Sequence, residues 1–397
     1  MALIVQKFGG TSVGTPERLR SVADRIARAR AAGHRLVVVV SAMGHTTDEL
    51  IELAQKVSQD PPRREMDMLL TAGERISMAL LSMALVDRGV DALSFTGSQS
   101  GIITDESHRR ARIKRILGDR VRAAIADHRV AIVAGFQGVS EKKEITTLGR
   151  GGSDTTAVAL AAALGADLCE IYTDVDGVYS ADPRVVPQAK LWRTISHDLM
   201  VEMATRGAGV LHPRSVEFAK RYKVPLCVRN SLNENEGTTV VTENNQETGM
   251  EDFKITGVTA DSARVLVTVN LARPTVANSV CDRAAEAHLS MLALTFSGGR
   301  LQFFAEREAE MEWRKHLQDL AAHGFLESFE FHSDLVPLSV IGDRFSQDGA
   351  ALSRVIETLA QCHISVTMGS TSALALTVAV PMTHADDGVK AIHARFF

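Results

Sequence analysis

The sequence is poor in the residues that mark a secreted, metal-bound or nucleic-acid-binding protein. Only 4 of its 397 residues are cysteine. Cys169, Cys227, Cys281 and Cys362 lie far apart, with no CxxC pair and no Cys/His ligand spacing. That excludes a disulfide scaffold or a zinc ribbon and predicts reduced thiols in a cytoplasmic protein. The formal charge is −4, so no basic excess points to nucleic acid or an anionic membrane. No apolar run approaches the ~18 residues of a membrane span, and the opening MALIV is too short for a signal h-region. No Ser-His-Asp or Cys-His constellation can be identified. GxxxxGK[ST] and GxGxxG are both missing from the opening segment KFGGTS. What is present is a 45 % share of hydrophobic residues, ample for packed cores, in a chain long enough for two or three domains of roughly 100–200 residues.

The apolar residues fall in a repeating order. Residues 2–6, ALIVQ, read as a short buried strand. Thr15 can cap a helix, Pro16 suits its first position, and Leu19, Val22, Ala23, Ile26 and Ala27 recur at helical spacing until Gly33. RLVVVV (35–40) is a near-continuous apolar strand, as when both faces of a sheet are covered. The spacing predicts further helices over about 47–58, 65–88, 118–127, 154–164, 197–206 and 214–222, and strands over about 91–95, 130–134, 168–173 and 225–229. The alternation argues an α/β fold, a mainly parallel sheet with helices on both faces. Ligands of such sheets sit beyond the carboxyl ends of the strands. The polar, glycine-rich stretches 7–14, 41–48, 135–138, 149–155 and 173–184 fall there.

Composition turns polar and Asn/Glu-rich at 230–252, which predicts a domain boundary. Beyond it two short units each offer a strand, a helix and further strands. The first runs RVLVTVNLA, PTVANSVCDRAAEAH, LSMLALTF and GRLQFFAE; the second runs LVPLSVIG, GAALSRVIETLAQC, HISVTMGS and SALALTVAV. They form a weak repeat.

Five segments carry chemistry. In KFGGTS, Lys7 ends a strand before Gly9 and Gly10. Backbone amides beside a double glycine can approach phosphate oxygens, and Lys7 can neutralise charge in phosphoryl transfer. The bland alternative is a tight turn beside a surface lysine. In SAMGHTTDEL (41–50), hydroxyls and amides at a helix start suit a carboxylate or phosphate, against ordinary capping by Thr47 or Asp48. In LLTAGERISMALL (69–81), Glu74 could hold a substrate ammonium or pair with Arg75. In GRGGSDTTA (149–157), Arg150 precedes two glycines, and Ser153 or Asp154 caps an Ala-rich helix. That arrangement suits an amino-acid carboxylate or a transferring phosphoryl group. The acidic loop YTDVDGVYSADPRVVP (172–187) could bind nucleotide and help with Mg²⁺, or be a solvated loop; it lacks a calcium-loop spacing.

Taken with GFQG (135–138) and VLHPRSVEFAKRY (210–222), these segments occur in the order and spacing of one family. The sequence resembles the aspartate kinases of the amino-acid kinase superfamily, closely over 1–240 and loosely beyond. The resemblance implies an αβα sandwich over 1–240, a linker at 241–252, and a regulatory region at 253–397 of two interleaved α+β ACT-like modules. It implies ATP-dependent phosphorylation of the L-aspartate β-carboxylate, with Mg²⁺, as the entry to lysine (through diaminopimelate), threonine and methionine synthesis. By the same resemblance Lys7 contacts the transferring phosphate with Gly9, Gly10 and Ser12, and Asp154 joins Lys7 in catalysis. Thr47, Glu74, Arg150 and Ser153 bind aspartate. Thr173, Asp174, Tyr179, Asp182 and Arg184 line the nucleotide site. A homodimer or larger homo-oligomer is implied, with lysine or threonine as effectors.

Two departures stand out. Gly207-Ala208-Gly209 replaces a GAK segment whose lysine reaches the phosphates, and Arg206 and Arg214 are the nearby cations. LARPTVAN (271–278) replaces a DxPG-like loop in the first module, which weakens the expectation of feedback control. Two other readings remain open: an acyl-phosphate kinase for another carboxylate, such as acetylglutamate, or a weakened kinase fold kept as an amino-acid sensor.

Overall fold

The computed structural model describes residues 1–242, 255–342, 345 and 349–397. It divides into two compact units. The first comprises Met1–Val178, Leu191–Met200 and Val210–Asn244; the second comprises Tyr179–Lys190, Val201–Gly209 and Asn245–Phe397. Two short segments of the expected 1–240 domain thus count with the second unit. Most of the expected linker lies outside the described residues.

The strands of the first unit are β1 (Leu3–Phe8), β2 (Arg35–Val40), β3 (Ala92–Phe95), β4 (Ile102–Thr104), β5 (Ile113–Ile116), β6 (Val130–Ala134), β7 (Gln137–Ser140), β8 (Ile145–Thr147), β9 (Leu168–Thr173), β10 (Thr194–Ser196), β11 (Leu226–Asn230) and β12 (Thr238–Val241). The helices are α1 (Pro16–Ala31), α2 (Thr46–Val57), α3 (Arg63–Val86), α4 (Asp119–Ala126), α5 (Gly152–Leu164), α6 (His197–Thr205) and α7 (Pro213–Tyr222), with α6 running on into residues of the second unit. The main sheet has the order β10-β12-β11-β9-β1-β2-β6-β3. It is parallel except where β12 runs against β11. Leu36 to Val40 are all buried because helices cover both faces. Ile4, Phe8, Val38 and Val40 pack on Leu19, Val22 and Ile26 of α1 and on Leu81 and Leu85 of α3. Each such side chain contributes about 1.5–3 kcal/mol by leaving water. Strand alternation sends Val5 and Lys7 to the opposite face, where α5 packs on β1 and β2.

Local signals explain the element ends. Thr15 Oγ1 accepts from Arg18 N–H at 3.3 Å, Pro16 opens α1, and Gly33 at φ +90° follows its end. Helix α3 is long and apolar enough by composition to cross a membrane, although Glu74 and Arg75 interrupt its apolar run. Instead its buried residues, from Met66 to Leu85, pack on β2, β3, β6 and β8. A side sheet, β5-β4-β7-β8, adds to the unit.

In the second unit the strands are β13 (Ile255–Ala260), β14 (Arg264–Leu271), β15 (Leu292–Ser297), β16 (Arg300–Glu306), β17 (Leu326–His332), β18 (Leu335–Gly342), β19 (Gly369–Thr371) and β20 (Ala375–Pro381). The helices are α8 (Ala277–Glu286), α9 (Glu310–Ala322), α10 (Gly349–Gln361) and α11 (Ala385–Phe396). They form two antiparallel sheets, β13-β18-β20-β19 and β15-β16-β14-β17, the two α+β modules of the expected fold. Each gains a strand over the sequence reading, β17 in the first module and β13 in the second. The strand expected at HISVTMGS shrinks to Gly369–Thr371. His363 takes φ +58° and Ile364 N–H returns to Leu359 O, so these residues terminate α10 instead. Part of GDRFSQDG, between 343 and 348, lies outside the described residues. Ala181 and Val186 join the core built on β13, β18 and β20. Ser180 Oγ lies 2.9 Å from His393 Nε2 of α11.

Candidate active site

Glycines let the strand ends of the first unit approach one another. A Cβ on Gly10 would lie 2.9 Å from Ala42 O, and Gly44 N–H donates to Gly10 O at 3.1 Å. A Cβ on Gly73 would lie 2.7 Å from that of Ala42, so α3 presses on the same loop. A Cβ on Gly135 would meet Ser153 Oγ at 2.6 Å. The loops after β1, β2 and β6 and the start of α5 are thereby drawn together. The segment after Gly9 is a 3-10 turn, Gly10–Val13, rather than an open loop.

Lys7 and Asp154 meet in this region. Lys7 Nζ lies 2.6 Å from Asp154 Oδ1, and each side chain is 12 % exposed. Such exposure leaves the pair little screened, yet open to a ligand. A Cβ on Gly9 would sit 3.5 Å from Lys7 Nζ, an ordinary contact distance, so the segment passes directly beside the amine. Ser12 Oγ is buried without a hydrogen-bond partner among the described residues. Glu74 is buried as well. Its Oε1 accepts from Ala42 N–H at 3.2 Å, and its Oε2 has no partner among the described residues. Burial pushes its carboxyl up to about 7. A buried carboxylate oxygen left unpaired is costly unless a ligand completes it.

The other expected residues fall as follows. Thr47 sits half-buried in the first turn of α2, not at its cap. His45 holds the cap position, and no side chain caps the helix. Ser153 and Asp154 likewise lie inside α5 rather than at its cap, which is Gly151 at φ +63°. The macrodipole of α5 therefore points its positive end at the Lys7–Asp154 pair. Arg150 is exposed on the loop just before. Thr173 ends β9 and Asp174 follows it, with Thr173 Oγ1 donating to Asp174 Oδ1 at 3.1 Å. Asp176 is committed to structure. It accepts from the amides of Asn230 at 2.6 Å, Asn233 at 2.8 Å and Asn235 at 3.0 Å, which hold it ionised below the usual range. The polar stretch expected as a boundary therefore begins as a clamp on this loop. Tyr179, Asp182 and Arg184 belong to the second unit, where Arg184 donates to both oxygens of Asp182. Neither cation near Gly209 is spare. Arg206 pairs with Glu202 at 2.7 Å and bonds Thr377, and Arg214 donates to Leu148 O and Ala111 O.

Gly151 combines a left-handed backbone with the closest approach in the loop. A Cβ there would lie 2.1 Å from His212 Cγ. Gly151→Ala is expected to lose ~2 kcal/mol or more, combining αL strain with displacement of His212. A lowered urea midpoint with unchanged slope checks this.

Strand ends gathered by glycines around a Lys–Asp pair, on a mainly parallel sheet, form the kind of site that an amino acid kinase uses. The profile of the amino acid kinase family matches residues 2–230, and the chain belongs to that family. It is similar to the aspartokinase of Mycolicibacterium smegmatis, at 44 % identity over 100 % of this chain and 96 % of that one. It is 44 % identical to the aspartokinase of Geobacillus stearothermophilus, over 100 % of this chain and 97 % of that one. Among solved structures, E. coli aspartokinase III in complex with aspartate and ADP covers both chains fully, with a TM-score of 0.87 and 25 % identity. Within the family, the chain stands among the aspartokinases.

Proposed function

We propose that the chain transfers the γ-phosphoryl group of ATP to the β-carboxylate of L-aspartate, giving 4-phospho-L-aspartate and ADP. The observation that carries this reading is the Lys7–Asp154 pair at the first turn of α5. The nucleophile needs no general base, because a carboxyl of pKa about 4 is already ionised at neutral pH. The obstacle is repulsion between two anions. Lys7 and the first-turn amides of α5 offset it, with the backbone at Gly9 and Gly10 and the hydroxyl of Ser12 receiving phosphate oxygens. Asp154 orients the Lys7 amine toward them. Glu74 takes the substrate ammonium on its unpartnered oxygen, Arg150 takes a carboxylate, and Thr47 and Ser153 supply hydroxyls. Thr173 and Asp174 flank the nucleotide. Asp154 is a hard oxygen donor that suits Mg²⁺, which binds through one or two carboxylates plus substrate phosphates. When bound, that ion would neutralise phosphate charge. Four free cysteines support a cytoplasmic setting.

An amino-acid effector, lysine or threonine, fits a cavity beside the LARPTVAN loop. It is lined by Leu271, Pro274, Gly298, Arg300, Gln302 and Glu327, and Arg300 and Glu327 offer opposite charges to a zwitterion. A homo-oligomer built on these modules is part of the same proposal.

Aspartate-dependent ADP release, with the acyl phosphate trapped by hydroxylamine as its hydroxamate, tests the activity. Product with L-aspartate and MgATP is expected. No product would favour the sensor reading, and product with acetylglutamate alone would favour the other kinase. Repeating the assay with lysine, threonine and both tests the effector.

A further inference from the structure

One buried carboxylate away from these strand ends is unusually well supplied with donors. Asp67, near the start of α3, is fully buried. Its Oδ1 accepts from Thr147 Oγ1 at 2.6 Å, and its two oxygens lie 3.1 and 3.2 Å from Arg109 N–H. His108 Nδ1 lies 2.7 Å from Oδ2. In the tautomer that carries its proton on Nδ1, His108 donates to this oxygen.

These partners come from the two chain segments that frame the Arg150 loop. Thr147 ends β8, three residues before Arg150. Arg109 takes φ +71°, and a Cβ on Gly149 would lie 3.0 Å from Arg109 O. Ala111 N–H donates to Thr147 O at 2.9 Å. Arg214 ties the same two segments, donating to Leu148 O at 3.0 Å and Ala111 O at 2.9 Å. Asp67 also precedes Glu74 by two helical turns, which puts both on one face of α3. One rigid helix therefore bears the Glu74 carboxylate and the fastening point of the loop that carries Arg150. A fastener alone would not need a charge, since apolar side chains replace buried ionic groups at little cost. A carboxylate with directed donors fixes geometry as well.

We propose that Asp67, with His108, is a positioning residue for L-aspartate. It sets the spacing between Glu74 and the Arg150 loop, and so governs affinity for the amino acid rather than the nucleotide. This rests on the assignment of Glu74 and Arg150 to L-aspartate.

Steady-state kinetics with both substrates varied test it in the full-length enzyme. Asp67→Asn and Thr147→Val are each expected to raise KM for L-aspartate about ten-fold, with KM for MgATP changed less than about two-fold. His108→Gln, which keeps an N–H donor, should show a smaller rise than His108→Ala. Leu85→Ala, a core truncation on the same helix, lowers Tm and leaves both KM values unchanged. Should Asp67→Asn fail to fold, Thr147→Val carries the test, because it removes a single hydrogen bond. Equal rises in both KM values, or the same aspartate-selective rise in Leu85→Ala, would overturn the proposal. Arg150→Ala is measured alongside. If it leaves KM for L-aspartate unchanged, the substrate assignment fails. If it raises that KM while Asp67→Asn and Thr147→Val do not, the positioning role alone fails.

Discussion

Lys7→Met is expected to lower kcat about 10³-fold while leaving KM for L-aspartate nearly unchanged, the cost of removing a preorganised cation from a phosphoryl-transfer site. The variant keeps the apolar stem and deletes only the charge. It also strands Asp154, whose carboxylate is 12 % exposed. Breaking a largely buried pair by removing one partner costs roughly 2–4 kcal/mol. Loss of activity could then be mistaken for loss of fold. The double variant Lys7→Met/Asp154→Asn separates the two. It removes the stranded charge and should recover most of the thermal stability, yet remain inactive. Recovery of turnover in the double variant would contradict the role given to Lys7.

Glu74→Gln is expected to raise KM for L-aspartate about 100-fold, equivalent to ~2.7 kcal/mol of lost binding. The substitution conserves shape and the acceptor for Ala42 N–H, and removes the charge offered to the ammonium. A pH signature accompanies it. Burial pushes the Glu74 carboxyl up to about 7, so near neutrality it is partly protonated before substrate arrives. For the native enzyme, kcat/KM for L-aspartate should fall about ten-fold per unit below pH 7, and Glu74→Gln should lack that limb. Stability moves the opposite way. The folded pKa lies above the unfolded 4.5, so the folded state holds the proton more tightly and loses stability as pH rises from about 4.5 to about 7. Above that window the ionised side chain costs on the order of 3 kcal/mol, which Glu74→Gln relieves. Denaturant midpoints at pH 5 and pH 8 check the sign: the variant should gain relative to native enzyme at pH 8.

The parallel sheet was legible because strands covered on both faces must be apolar throughout, as in RLVVVV and VAIVA (130–134). Helix α1 was legible from Thr15 and Pro16, whose effects are local. The side sheet was not, since its strands span only three or four residues and its two hairpins are joined through β4 and β7, which lie far apart in sequence. The starts of α2 and α5 were misjudged for a related reason. Ser, Thr and Asp usually cap helices, but glycine in the left-handed region at Gly151 begins α5 two residues earlier. Of the site, Lys7 and Glu74 could be singled out by being charged where neighbours are apolar. That Glu74 leans on the backbone of Ala42, and that Asp67 gathers Thr147, Arg109 and His108, depends on contacts no spacing encodes. The asparagines at 230, 233 and 235 looked like a boundary because composition does not reveal that their amides all turn onto Asp176.

The nesting of one C-terminal module within the other has a consequence for synthesis. Strand β13 leaves the ribosome ahead of everything from β14 to β17, yet its partner is β18. Until the inner module closes, β13 is an unsatisfied edge. Collapse of the inner module brings the flanking ends together and shortens the loop that β13 and β18 must close. The connectivity thereby favours assembly from the inside, and a released fragment ending at His332 would present a finished inner module beside a strand still open to the wrong partner.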